Sequence, residues 1–323
     1  PYGSGHINDT FCVNVEQAGA PLRYILQRLN TDVFRDPASV MANIARVTEH
    51  LATQLRREGV RDASRRALTL VPSRDGALWR EEPDGVWRCY LFVEHARTWD
   101  EIDSPAQAAA AARAFAEFQR RLADLPPPPL HETIPGFHDT PRRFRALQAA
   151  IAADPFQRVA LAQPEIEFAL ARAHIVDRLE RARLEGRLPV RVTHNDTKLN
   201  NVMLDETTGE AVCVIDLDTV MPGLVHYDFG DLCRTATRPT AEDETDLGRV
   251  RMQPDTYAAL VEGYLAGGSS FLTDAEVDLL ACSAHLITFE IGVRFLTDFL
   301  EGDVYFKTRR PQHNLDRCRV QFA

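Results

Sequence analysis

A short β-rich island inside an otherwise helical stretch constrains this chain more than any other feature. Three runs of β-branched and aliphatic residues, Val190–Thr193, Val202–Leu204 and Ala211–Ile215, lie between long segments of helical character. The turn Asp205-Glu206-Thr207-Thr208-Gly209 joins the last two as a hairpin. A hairpin fixes what lies at its ends, so Asn201, just ahead of the first strand, returns beside Asp216, just past the second. The loop feeding the hairpin reads Thr193-His194-Asn195-Asp196-Thr197-Lys198-Leu199-Asn200-Asn201. An acid, an amide and a second acid are thereby brought to one place.

The rest of the chain frames this island. In the first third, Thr10–Val15, Leu22–Leu29, Ala67–Val71, Ala77–Arg80 and Trp87–Glu94 read as strands. Between the second and third, Val40, Ile44, Val47, Leu51 and Leu55 mark one face of a helix over Pro37–Arg57. Strands, one helix and more strands predict a small α+β lobe over residues 1–96, with an antiparallel sheet. Residues 97–323 read as a mainly helical lobe, with helices over Ala106–Leu125, Glu165–Leu184 and Asp274–Leu300. The chain of 323 residues is long enough for two cores.

Composition narrows the partners. A net charge of -10 argues against a nucleic-acid partner, which needs a concentrated basic face. No membrane partner is expected either, because no apolar run reads as long enough for a bilayer span. Cys12, Cys89, Cys213, Cys233, Cys282 and Cys318 are scattered, mostly among apolar neighbours, and form no CxxC pair. They read as buried thiols in a reducing cytoplasm.

The island carries the chemistry. Phosphoryl transfer asks a protein to hold an acceptor hydroxyl in line, to place a divalent metal on the phosphates and to surround the moving group with positive charge. Asp196 on its loop can accept a hydroxyl proton. Asn201, five residues on, and Asp216, twenty residues after Asp196, can converge on one Mg²⁺. Pattern and spacing, His194-x-Asp196-x4-Asn201 followed by Ile215-Asp216, resemble the catalytic and metal motifs of the aminoglycoside phosphotransferase and choline kinase-like superfamily, which shares the protein-kinase fold. The resemblance implies ATP and Mg²⁺ as cofactors, Asp196 as catalytic base, and Asn201 and Asp216 as metal ligands. Lys198 resembles the catalytic-loop lysine that neutralises the γ-phosphate. Asp231 resembles the aspartate that braces the catalytic loop from behind, through His194. The literal Asp228-Phe229-Gly230 triplet lies beyond the hairpin, thirty-two residues after Asp196, and reads as coincidence, with Asp228 at a helix start or in a loop.

At the other end of the chain, Gly3-Ser4-Gly5 precedes the first strand and reads as a loop whose backbone N–H groups cover phosphate. Such a loop ordinarily follows a strand, which places the natural start a few residues upstream. The small lobe departs from the family pattern, because Tyr24-Ile25-Leu26-Gln27-Arg28-Leu29-Asn30 holds no phosphate-binding lysine. Arg28, partnered by Glu49 on the helix, can replace it, and Gln27 occupies an equally defensible register. The segment from Leu91 to Ala96 reads as the hinge between lobes, with backbone groups of Glu94 and Ala96 available to adenine.

Within the superfamily, Gly5-His6-Ile7-Asn8-Asp9-Thr10, Ile25–Asn30, His194–Lys198, Asp216-Leu217-Asp218-Thr219 and Arg310-Pro311-x-His313-Asn314-Leu315-Asp316 resemble the N-acetylhexosamine 1-kinases. The resemblance implies a sugar as the small-molecule acceptor, phosphorylated on its anomeric hydroxyl over Asp196. Glu290, Arg294 and Asp298 stand at helical spacing. They form either a salt-bridged helix face or, as the resemblance favours, a site in which Arg294 grips sugar hydroxyls or an N-acetyl carbonyl. His6, Asn8, Asp218 and Tyr305 are further candidates for the acceptor, and Asp218, two residues after Asp216, can reach either metal or substrate. An aminoglycoside, choline or another small alcohol is the alternative acceptor, and a catalytically silent binding module is the remote one.

Overall fold

In a computed structural model that describes residue 2 and residues 7–323, the chain begins with an antiparallel sheet. Strands β1 (Asp9–Gln17) and β2 (Ala20–Leu29) are joined by Ala18 and Gly19, both at positive φ (52° and 79°). Two such residues match the twist of a tight hairpin. Helix α1 (Pro37–Arg57) follows as the apolar spacing dictates. Asp36 caps it by accepting from the Ser39 amide at 3.1 Å, and Val40, Met41, Ile44, Val47, Leu51 and Leu55 are buried beneath it. A single turn, α2 (Ala63–Arg66), precedes β3 (Trp79–Glu82) and β4 (Gly85–Leu91), and the sheet runs in the order β1-β2-β4-β3.

Two strand expectations shift. Residues 67–71 are extended but join the sheet only through an isolated bridge between Leu70 and Tyr90, because β3 already pairs with the outer edge of β4. The expected strand over Trp87–Glu94 is cut at Leu91. After the bend at His95, where φ is 55°, β5 (Ala96–Arg97) pairs with the island, opposite Asp205 and Leu204. The hinge segment is therefore stitched to the large lobe by backbone hydrogen bonds.

Helices dominate beyond it. Helix α3 (Pro105–Leu122), capped by Ser104, is followed by α4 (Thr140–Ala153), capped by Asp139. The single helix expected over Glu165–Leu184 is broken into α5 (Gln163–Ala171) and α6 (Arg178–Leu184), with a 3₁₀ turn over Ala173–Ile175 between them. No glycine or proline marks this break. Tertiary burial of Ile175 and Val176 overrides local propensity there. The island then divides: β6 (Arg191–Thr193) leaves the hairpin of β7 (Val202–Asp205) and β8 (Ala211–Val214) to pair instead with β9 (Met221–Gly223). Helices α7 (Val225–Ala236), α8 (Pro254–Gly268), α9 (Asp274–Asp278), α10 (Leu280–Leu300) and α11 (His313–Phe322) complete the chain.

The large lobe packs around α10, whose residues from Phe289 to Leu300 are all buried. That helix is long and apolar enough to cross a membrane, but the same apolar residues form the core against α4, α7 and α11. Helices α3 and α8 cross so closely that a Cβ on Gly263 would stand 2.2 Å from the Ala109 carbonyl oxygen. This arrangement is the two-lobed, kinase-like α+β fold that the motifs imply.

Candidate active site

Between β6 and β7 the chain makes a loop that is held from several sides. Asn195 is left-handed, with φ at 64°, a conformation that asparagine tolerates better than most side chains. Its amide donates to the carbonyls of Thr193 (3.2 Å) and Thr219 (2.9 Å), and its Oδ1 accepts from the Thr193 hydroxyl at 3.0 Å. From α7, the Asp228 carboxylate accepts the backbone amides of His194 (2.9 Å) and Asn195 (2.7 Å), and a third hydrogen bond from Gln119 (2.6 Å). The Thr197 hydroxyl donates to the Asp228 carbonyl at 2.5 Å. Burial pushes the Asp228 carboxyl up, and these backbone donors together with His194 work against that rise.

The residue that braces the catalytic loop is thus Asp228, from the triplet read as coincidence, and not Asp231. One turn on, Asp231 accepts both Nε (3.0 Å) and Nη2 (2.7 Å) of Arg234, and its other oxygen is buried with no hydrogen bond. The reason is helical geometry. Residues three apart share one face of a helix at different heights along its axis, and it is Asp228 that stands level with the His194 and Asn195 amides, while Asp231 is taken up by Arg234. His194 is fixed by other means: Nε2 donates to the Ile215 carbonyl at 2.8 Å, Nδ1 accepts the Asp196 amide at 3.3 Å, and the ring sits edge-on to Phe115 and Phe118.

Asp196, Asn201 and Asp216 come together as the hairpin requires. The Asn201 amide donates to the Asp196 carbonyl (2.8 Å) and to Oδ2 (3.2 Å), while the Ile215 amide donates to the Asn201 carbonyl at 2.9 Å. Lys198 Nζ lies 2.8 Å from Asp196 Oδ1. Burial would push the Asp196 carboxyl up, but Lys198 holds it below the usual carboxylate range, and the lysine ammonium is raised in return by Asp196 against its own burial. Asp216 behaves in the opposite way. Burial, then Asp218 and Asp196 beside it, push its carboxyl up to about 6. It makes no direct hydrogen bond or ion pair among the described residues. Those residues include no group of three His, Cys, Asp or Glu side chains able to hold a metal unaided. The unpartnered Asp216 carboxylate and the Asn201 amide nevertheless form an oxygen-rich pair of the kind that suits Mg²⁺, which keeps waters and takes phosphate oxygens to fill its shell.

The small lobe holds its buried cation on a different strand from the one expected. Arg28 is partly exposed, donates to Asp9 from Nε at 2.9 Å and to the Asp84 carbonyl at 3.1 Å, and lies over Trp87. Glu49 is exposed on α1, and no Arg28–Glu49 pair forms, because Arg28 projects from the sheet face opposite Gln27. The buried cation is Arg88 on β4. It donates twice to Gln27 Oε1 (3.0 and 2.9 Å), to Asp218 Oδ2 at 3.0 Å and, by a shorter contact, to Asp218 Oδ1. Asn8 donates to the same Asp218 at 2.5 Å. Asp218 therefore faces neither solvent nor an open cleft, contrary to its reading as an acceptor residue, since its oxygens are consumed by Arg88 and Asn8. Arg88 was legible: Val86, Arg88 and Tyr90 are the alternating inward positions of an amphipathic strand, and an arginine is buried there only if paired.

At the hinge, the Glu94 side chain is exposed and paired with Arg23, and its carbonyl accepts from Arg65 Nε at 3.0 Å. Ala96 is buried in the ladder with Asp205. Gly3, Ser4, Gly5 and His6 lie outside the described residues.

The Glu290, Arg294, Asp298 series does not form a salt-bridged face. Glu290 bonds His138 and Thr140, and Asp298 accepts the backbone amides of Val304, Tyr305 and Phe306 together with the Asn314 amide. Arg294, only 9% exposed, has no hydrogen-bond or ion-pair partner among the described residues and is ringed by Phe137, Tyr305 and Phe306. Tyr305 is exposed beside it. Arg143 on α4, missed in the sequence, stands close enough for Arg294 to help burial lower its affinity for a proton, and its Nε is buried without a partner.

The model of the phosphotransferase enzyme family, APH, matches residues 1–269. Among solved structures, the chain is similar to the amicoumacin kinase hAmiN in complex with AMP-PNP and Ca²⁺ (TM-score 0.62, 14% identity, 97% of this chain and 85% of that one). It is also similar to an aminoglycoside phosphotransferase from Alicyclobacillus acidocaldarius (TM-score 0.59, 14% identity, covering 95% and 86%). A microcompartment-associated aminopropanol kinase gives a TM-score of 0.56 at 17% identity, covering 97% and 89%. At such identities the likeness is one of fold.

Proposed function

Because the chain belongs to the phosphotransferase enzyme family, we propose that it moves the γ-phosphoryl group of ATP onto the anomeric hydroxyl of an N-acetylhexosamine, giving the sugar 1-phosphate and ADP. The observation that carries the reading is the convergence of Asp196, Lys198, Asn201 and Asp216 on one end of the hairpin. The left-handed Asn195 and the Asp228 brace present the Asp196 carboxylate at a fixed height. There it orients the acceptor hydroxyl and takes its proton as the new O–P bond forms and the bond to the ADP oxygen breaks. Lys198 places a positive charge beside the transferring group. Mg²⁺, when bound by Asn201 and Asp216, supplies charge neutralisation on the phosphates.

The acceptor class is supported by the surroundings of Arg294 and by the motifs shared with the N-acetylhexosamine 1-kinases. Sugar hydroxyls are recognised by directional hydrogen bonds on apolar or aromatic walls. A nearly buried guanidinium without a partner, set among Phe137, Tyr305 and Phe306, offers both. In this reading Arg88, whose charge is felt by the metal ligand Asp216, takes the place of the expected lysine as the small-lobe cation. The test is ³¹P NMR of the products from ATP, Mg²⁺ and GlcNAc or GalNAc, where a phosphate doublet coupled to the anomeric proton is expected. Transfer to choline, ethanolamine or kanamycin but to neither sugar would reject the acceptor and keep the catalytic set. In the active pairing, Asp196→Asn should reduce turnover by about 10²–10⁴-fold; near-full activity would reject Asp196 as the base.

A further inference from the structure

Several buried titratable groups take no part in the mechanism, and His138 is the one among them that touches the catalytic loop from α4's side. His138 lies just ahead of α4, in contact with the rings of Phe137 (4.8 Å) and Tyr227 (5.1 Å). Its Nδ1 is 3.0 Å from Glu290 Oε1, and its Nε2 is 3.1 Å from the carbonyl oxygen of Asn195. A carbonyl oxygen only accepts, so Nε2 carries a proton. The Glu290 carboxylate already accepts from the Thr140 hydroxyl at 2.5 Å, and burial, which would raise its carboxyl, is outweighed by His138, Arg294 and Thr140. Nδ1 therefore carries a proton as well.

The geometry points to His138 as a positioning residue: an imidazolium, held by Glu290, that clamps the Asn195 carbonyl and thereby sets the left-handed turn presenting Asp196. The role rests on the reading of Asp196 as the base. Asn195 is otherwise gripped through its amide by Asp228 and through its side chain by the carbonyls of Thr193 and Thr219. The peptide plane joining Asn195 to Asp196 is held at both ends, by His138 on the Asn195 carbonyl at 3.1 Å and by His194 Nδ1, which accepts the Asp196 amide at 3.3 Å. Losing the His138 bond leaves that plane held only by the longer His194 contact, and a shift of about 1 Å in a reacting group costs on the order of 100-fold in rate.

The charged and titratable groups around the ring come from three sides. Glu290 and Arg294 stand on α10, Tyr227 and Asp231 on α7, and Arg143 on α4 faces Glu290. Burial lowers the ring's proton affinity and Arg294 adds to that, but Glu290, followed by Asp231, more than offsets both, and the net shift is upward. With the folded value raised above the ordinary one near 6.5, the clamp is fully present below that value and is lost as pH rises through the folded value.

The test uses the whole chain with ¹⁵N-labelled histidine, assigning His138 by its loss in His138→Gln. Both ring nitrogens are expected to stay protonated at pH 7, and a neutral ring at that pH overturns the clamp whatever the kinetics show. With Mg²⁺, ATP and the acceptor found above, His138→Ala should lower kcat by about 100-fold while the KM for ATP stays within about twofold. His138→Gln, which can still donate to the Asn195 carbonyl, should recover most of kcat and lose the alkaline fall seen in the parent. Equal losses in both variants with an unchanged pH profile would make the residue merely structural and reject the proposal. A silent parent enzyme with the imidazolium intact would instead reject the reading of Asp196, and the positioning role with it.

Discussion

Arg88→Met should be among the most destabilising single changes in the chain. The Arg88–Asp218 pair joins β4 of the small lobe to the segment just past β8 of the large one, and the two side chains are 1% and 2% exposed. Taking both charges out of water is costly, and the intact pair roughly offsets that cost; removing one partner leaves the other buried and unneutralised, at about 3–5 kcal/mol. In the variant, Asp218 keeps only the Asn8 amide as donor, and Gln27 Oε1 loses both of its hydrogen bonds from Arg88. The loss should appear as a fall in melting temperature on the order of 10 °C and a matching fall in the denaturant midpoint at unchanged m-value. The companion Arg88→Met/Asp218→Leu removes both charges and should recover most of the loss, since apolar replacement of a buried pair is often neutral. A single variant losing less than about 1 kcal/mol, or a double variant no better than the single, would refute the account of Asp218 as a carboxylate that depends on Arg88.

Three further outcomes follow from the packing. Asp228→Ala removes the acceptor for two backbone amides and Gln119, so stability should fall by roughly 2–4 kcal/mol and kcat should fall with it, as denaturant titration and steady-state rates would show. His226 donates from Nε2 to the Glu276 carbonyl at 2.9 Å while its Nδ1 is buried without a partner, and burial pushes it down to about 4. A histidine depressed in the folded state leaves stability intact above its ordinary value near 6.5 and withdraws it as pH falls towards 4, by roughly 3 kcal/mol; stability measured across that window should fall less steeply in His226→Gln. Gly263→Ala drives a methyl into the Ala109 carbonyl and should separate α3 from α8, costing at least about 1–3 kcal/mol, visible in thermal melts.

What could be read in the sequence was whatever local spacing dictates. Helix α1 announced itself by its apolar face and its Asp36-Pro37 start, and the hairpin announced the meeting of Asn201 with Asp216. The break between α5 and α6 gave no warning, because burial of Ile175 and Val176 and not a breaker residue makes it. The choice of Asp228 over Asp231 as the brace was invisible for a related reason. Both acids lie on one helix, and only the docking of α7 against the catalytic loop decides which of them faces it. The expected Arg28–Glu49 pair does not form, because Arg28 projects from the face of β2 that meets Asp9. The arginine that the sheet does bury, Arg88, was marked by the amphipathic alternation of β4.

These errors share a physical cause that bears on how the site works. The motif residues Asp196, Asn201 and Asp216 are close in sequence, so a hairpin suffices to gather them. The groups that set their height and charge are not: Asp228 comes from α7, Gln119 from α3, Arg88 from the small lobe, and Glu290, through His138, from α10. Each makes its contribution by presenting a donor or acceptor to backbone or carboxylate that is already buried, where an unmet partner is expensive. The loop conformation is therefore enforced by the whole large lobe. Changes far from Asp196 that merely re-seat α7 or α10 should lower kcat before they lower stability, since a displaced loop loses alignment while most of its hydrogen bonds persist.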